Sequence, residues 1–199
     1  IPKMRKAEHV SQQINSDVPL DIAVSRFVFT NRRPVTPLQP ETRAFLLASG
    51  VCQNGLARAA AKEFLTLAGL EPRGYAAVHV RFGDEKDQKS GVTELILQKL
   101  KVFCSETSPV LMMSDKPLLL LEAGLNSIAT VRNHGGSHSG LDTDEESLMF
   151  ALTDLELLGQ SDRIFSYSRY AWGSGFAQIA SELYQVPLVK RTAFRKVFE

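Results

Sequence analysis

Tyr75-Ala76-Ala77-Val78-His79-Val80-Arg81-Phe82-Gly83-Asp84 is the stretch on which the fold turns. It is an apolar run rich in β-branched and aromatic residues that carries a histidine and an arginine and then stops at a glycine and an aspartate. Such a run reads as a buried strand, and the twofold period of a strand puts His79 and Arg81 on one face.

Working outward, the strand is the first of a series. Upstream, a helical pattern begins at Pro40, breaks at Gly50 and resumes over 56–70, with an Ala-rich centre that favours helix and a stop at Gly69 and Pro72. Downstream, Val92, Leu95, Ile96, Leu100 and Phe103 recur at helical spacing. A second strand is expected over 110–113, a short helix over 117–124 and a third strand over 128–131. Leu148, Ala151, Leu152, Leu155 and Leu158 form a helical stripe, followed by a fourth strand over 164–167. Phe176, Ile179, Ala180 and Leu183 mark another helix, and 187–189 a last short strand. Repeated βα units imply an α/β, Rossmann-like parallel sheet with helices on both faces. That domain is read over 41–199. Residues 1–40 differ from it, with Lys3, Arg5, Lys6, Arg26, Arg32, Arg33 and five prolines. They read as an extended basic arm or the remnant of a preceding domain, in which 23–29 is a strand or a docking segment.

Bulk composition bounds the function. The chain has 199 residues, of which 44% are hydrophobic and 23% charged, enough for a core without disulfide or metal staples. A net charge of +1 gives no global field for nucleic acid or an anionic membrane surface. No apolar run is long enough to span a membrane and no signal peptide is visible. Because the chain starts at Ile1, it reads as processed or as a fragment. Cys52 and Cys104 make no Cys-x-x-Cys pair. Buried free thiols are the favoured reading, with a disulfide as the alternative.

In open α/β sheets, ligands bind beyond the carboxyl ends of the strands. Those ends read His79-Val80-Arg81-Phe82-Gly83-Asp84, Ser114-Asp115, Asn133-His134-Gly135-Gly136 and Ser166-Tyr167-Ser168-Arg169-Tyr170, all of them polar. A guanidinium at a strand end calls for an anion, which its planar fork suits, or for a carboxylate such as Asp84 or Asp115. His79 is a ligand residue or a satisfied core histidine. The segment 166–174 precedes a helix, where hydroxyls and free N–H groups make an anion cradle or an ordinary cap.

Other motifs fail on inspection. Gly173-Ser174-Gly175 has Gln178 where a dinucleotide fingerprint needs its third glycine. The glycines at 135–140 lack the Lys-Ser/Thr of a triphosphate loop, and His138 stands where a nucleophile elbow needs serine. His134 and His138 are separated by glycines that disfavour the helix needed to align them on zinc. Asp142-Thr143-Asp144 has the form of a metal-binding Asp-x-Asp, yet Thr143 with Glu146 also makes a capping box, the favoured reading.

Taken in order, these residues resemble the motifs of GDP-fucose-dependent fucosyltransferases, the group of α1,2-, α1,6- and protein O-fucosyltransferases and bacterial nodulation enzymes. His79-Val80-Arg81-Phe82-Gly83-Asp84 is similar to the first motif, His-x-Arg-(Arg)-x-Asp, and Ser114-Asp115 to the Ser/Thr-Asp of the second. Leu152-Thr153-Asp154-Leu155 resembles the helix before the last motif strand, and 166–172 the Ser-rich third motif. The likeness runs over about residues 70–190. It implies the C-terminal, donor-binding half of a GT-B enzyme, inverting and metal-independent, that takes fucose from GDP-fucose to a glycan or protein acceptor. By the resemblance, Arg81 holds the β-phosphate and His79 and Asp154 hold the guanosine. Ser166, Ser168, Tyr170 and Ala171 line the phosphate turn, and Asp115 is a ligand or motif support. Asp84, Glu85 and Asp87 are nearby candidates for the general base, of which Asp84 is the one assigned. It implies the secretory lumen for a eukaryotic member and the cytoplasm for a bacterial one.

The chain departs from the pattern at Phe82, where the second arginine of the first motif stands, and at Tyr170-Ala171, where Phe-Ser is usual. The stretch ahead of the first motif is short for the acceptor domain of a GT-B enzyme. The rival expectation is therefore a non-catalytic relative that serves assembly, with residues 1–40 holding a protein partner. A different nucleotide binder, such as an NAD enzyme, ranks third because of the imperfect glycine pattern.

Overall fold

The computed structural model describes residues 55–83, 91–133, 145–170 and 173–192, with Pro40 and Ala44. The arm read over 1–40 lies outside them except for Pro40, as do Cys52, Asp84, the histidines at 134 and 138, the 142–144 segment and Ala171.

Five strands form one sheet, all parallel. The elements run α1 (Gly55–Ala68), β1 (Ala76–Arg81), α2 (Val92–Glu106), β2 (Val110–Ser114), α3 (Pro117–Glu122), a 3-10 turn (Leu125–Ser127), β3 (Thr130–Val131), α4 (Glu145–Gly159), β4 (Arg163–Ser168), α5 (Gly175–Tyr184) and β5 (Leu188–Thr192). The strand order is β3-β2-β1-β4-β5. The chain steps from β1 outward to β3, then returns through α4 to the other side of β1 and steps outward again. Crossovers of one hand therefore place α2 and α3 on one face and α4 and α5 on the other. The order reverses between β1 and β4, the switch point at which such sheets bind ligands.

The packing follows from strand periodicity. Ala77, Leu111, Met113 and Ile164 point to the face covered by α1, α4 and α5, where they pack with Ala61, Leu65, Leu155, Leu158, Ala177 and Leu183. Val78, Val80, Met112, Phe165 and Tyr167 point the other way, onto Ile96, Leu100 and Cys104 of α2 and Leu120 of α3. Cys104 is a buried free thiol, and burial pushes its pKa up to about 11. Burial on both faces explains why the central strands read as continuous apolar runs.

Two strands differ from expectation by more than one residue at an end. β3 is only Thr130–Val131, because the preceding residues close a 3-10 turn with Ile128 donating to the Leu125 carbonyl at 3.1 Å. β5 continues past Val189 to Thr192. It is an edge strand, where Lys190 and Arg191 reach solvent and break the apolar pattern that sequence reading relies on.

Candidate functional site

On the α1, α4 and α5 face, the two central strands change character toward their carboxyl ends. β1 runs Ala77, His79, Arg81, and β4 runs Ile164, Ser166, Ser168, with His79 registered on Ser166 and Arg81 on Ser168. The opposite face stays apolar along the same length, with Val78, Val80 and Phe82 on β1 and Phe165 and Tyr167 on β4. At the carboxyl ends of β1 and β4, the described residues thus form a polar corner on the α1, α4 and α5 face, at the switch point.

α5 opens into this corner. Ser174 caps it, its Oγ accepting from the Ala177 N–H at 3.4 Å, and the Ser174 N–H donates to Ser166 Oγ at 3.4 Å. Gly173 turns the chain into the helix with φ +82°, a conformation that costs glycine nothing, and its N–H donates to the Tyr170 carbonyl at 3.0 Å. Ser168 Oγ accepts from the Tyr170 N–H at 3.1 Å. Both β4 serines, fully buried, brace the turn from beneath. His79, 8% exposed, lies with its ring centroid 5.4 Å from that of Phe176 in the first turn of α5.

Asp115 joins the ends of β1 and β2. Its carboxylate accepts from the N–H groups of Phe82 and Gly83, each at 2.8 Å, and stands 3.5 Å from Arg81 Nε. Two amides and a guanidinium offset the cost of burying that charge. The Arg81 side chain keeps 22% of its surface exposed, at the border between this pairing and solvent. Between its two readings as anion ligand and as ion-pair partner, the structure supplies the carboxylate and leaves part of the side chain within reach of solvent.

Three features at the carboxyl ends of the strands were not read from the sequence. Arg169, buried, donates from its backbone N–H to the Arg81 carbonyl at 3.2 Å and from Nη1 to the Phe82 carbonyl at 3.1 Å, tying the end of β4 to that of β1. Tyr170, half-buried, lays its ring against Gly83, whose φ is +79°. Arg132 extends β3, its N–H bonded to the Met112 carbonyl at 2.9 Å, and its Nε meets Asp154 Oδ1 on α4 at 2.5 Å. The Arg132 guanidinium carbon also sits 4.9 Å from the centroid of the Phe64 ring on α1. Arg132 carries the same signal that singles out Arg81, a charge at the end of an apolar run, and could have been found by it. Asp154 is therefore on the same side of the sheet as His79 and Arg81, held by an arginine.

At the far end of α5, away from this corner, Glu156 is buried between helices. It accepts from Tyr184 Oη at 2.7 Å and stands 3.8 Å from Arg58 Nε. Burial raises its pKa, against the opposing effects of the Tyr184 hydrogen bond and the Arg58 charge.

Among the described residues, no group of three or more His, Cys, Asp or Glu side chains is placed to hold a metal ion, and no helix is long and apolar enough to cross a membrane. The corner brings together a guanidinium, an imidazole and the first turn of a helix, a set suited to an anionic ligand, with the serine hydroxyls engaged in holding the turn. In comparisons with protein families, with curated proteins and with solved structures, the chain finds no match.

Proposed function

We propose that this chain is the donor-binding half of a glycosyltransferase of the fucosyltransferase type, holding GDP-fucose at the polar corner between β1 and β4. The observation that carries the reading is the one-sided change from apolar to polar side chains on β1 and β4, beside the first turn of α5.

In this reading Arg81 meets the β-phosphate, with Asp115 fixing its direction. Ser166 and Ser168 act from beneath by holding the turn, and Tyr170 and Ala171 line it. His79 and Asp154 serve the guanosine. As the bond from the sugar C1 to the β-phosphate oxygen breaks, negative charge grows on the diphosphate, where a guanidinium and helix amides stabilise it. The acceptor hydroxyl forms the new bond to C1 and gives its proton to a general base, for which Asp84 is the candidate. Comparing the unfolding temperature with GDP and GDP-fucose against UDP and NAD tests the reading. Guanine nucleotides should raise it by mass action and the others should not.

A non-catalytic relative is the second reading. It is favoured by the ion pairs that already engage Arg81 with Asp115 and Asp154 with Arg132. It expects no shift with any of the four nucleotides.

A further inference from the structure

We infer that Lys190 is a second cationic ligand of the diphosphate, reaching the corner from β5; the inference rests on the nucleotide-sugar reading above. The β4–β5 register pairs Lys190 with Ser166, which is itself paired with His79, so the three residues form one row across the sheet. Strand periodicity turns Lys190 to the α5 face, and its contacts agree. Its Cδ lies 3.9 Å from where a side chain on Gly173 would begin, the same distance as Ser166 Oγ. The lysine stem therefore borders the turn that opens α5.

The partner of the ammonium sets Lys190 apart from Arg81 and Arg132. Arg81 faces a carboxylate, Arg132 faces another, and Arg169 donates to a backbone carbonyl. Lys190 Nζ donates to the neutral Oε1 of Gln178 at 3.2 Å, and among the described residues no carboxylate lies within ion-pair distance of it. Gln178 in turn donates from Nε2 to Glu182 at 3.1 Å, which fixes its amide with the oxygen toward the lysine. Glu182 thus orients the lysine through the amide without cancelling its charge. An ammonium has three donors, and Gln178 takes one. A lysine that served only to guard an edge strand would need no such relay. Arg81, already beside Asp115, leaves part of a diphosphate's charge unbalanced, and Lys190 supplies the complement from the other side of Ser166.

The test is calorimetric titration of GDP into the wild-type chain, Lys190→Gln and Arg81→Ala, with the unfolding temperature of each recorded. Lys190→Gln should bind GDP at least about tenfold more weakly, the loss of a charge-assisted contact, and should unfold at the wild-type temperature. Binding of Lys190→Gln at wild-type strength, with Arg81→Ala impaired, would overturn this inference and leave the site reading standing. Weakened binding together with a lowered unfolding temperature would also overturn it, marking Lys190 as part of the fold. Absence of saturable GDP binding by the wild type would overturn both.

Discussion

The hydroxyl oxygen of Tyr170 lies 2.2 Å from the point where a β-carbon on residue 83 would sit, so the end of β1 and the turn after β4 meet through a glycine. Gly83 is required there twice, by its φ of +79° and by the ring above it. Gly83→Ala should lower stability by about 1–3 kcal/mol, read from denaturant midpoints. Gly83→Ala with Tyr170→Ala should recover the steric part and keep the backbone part. Equal losses in the single and double variants would show that the ring does not constrain the turn.

Removing the buried Asp115 carboxylate should be damaging. Asp115→Ala leaves the Phe82 and Gly83 amides without their acceptor and Arg81 without its counter-charge. A loss of about 2–4 kcal/mol is expected in urea unfolding. A loss under about 0.5 kcal/mol, the range of an ordinary surface change, would contradict the support role.

The Arg132–Asp154 pair should show strong coupling. Asp154→Leu leaves the buried Arg132 guanidinium without its carboxylate, with an expected cost of about 3–5 kcal/mol, and Arg132→Met should also destabilise. The double variant should be much less destabilised than the sum of the singles, and a double-mutant cycle measures this directly. Additive effects would mean that the pair is not a unit.

How much of this was legible in the sequence follows from what each residue type signals locally. The strands around Val78, Met112 and Phe165 were readable because burial on both faces leaves a continuous apolar run, and α4 because its leucines repeat at helical spacing. Arg81, His79 and Asp115 stood out because polar groups at strand ends contrast with such runs. Strand order was not readable, since no local pattern says that β4 returns beside β1. Nor was the contact of Tyr170 with Gly83, the reach of Arg169 to the Phe82 carbonyl or the pairing of Asp154 with Arg132. Each joins residues far apart in sequence, the first two through the register of the sheet and the third through the packing of α4 on it. Lys190 was hidden for a different reason: on an edge strand a lysine reads as solvent-facing, and only the register places it beside Ser166.

Stability should carry the signature of Glu156. Burial raises its pKa in the folded state above the unfolded value, so its contribution is most favourable below the ordinary carboxylate range and declines as pH rises through the folded pKa. Glu156→Gln keeps an acceptor for Tyr184 and removes the charge. Unfolding free energies of wild type and variant, compared across acid to neutral pH, should diverge in the variant's favour as pH increases. A difference independent of pH would show that Glu156 does not titrate differently on folding.

In the proposed function, the polar corner between β1 and β4 binds the diphosphate of a guanine nucleotide sugar. Calorimetric titration of the chain with GDP-fucose, without added metal and beside Arg81→Ala, tests it most directly. Saturable one-to-one binding by the wild type, lost in an Arg81→Ala protein that unfolds cooperatively, is the expected result. A well-folded wild type that releases or absorbs no heat of binding, or an Arg81→Ala variant of equal affinity, would contradict it.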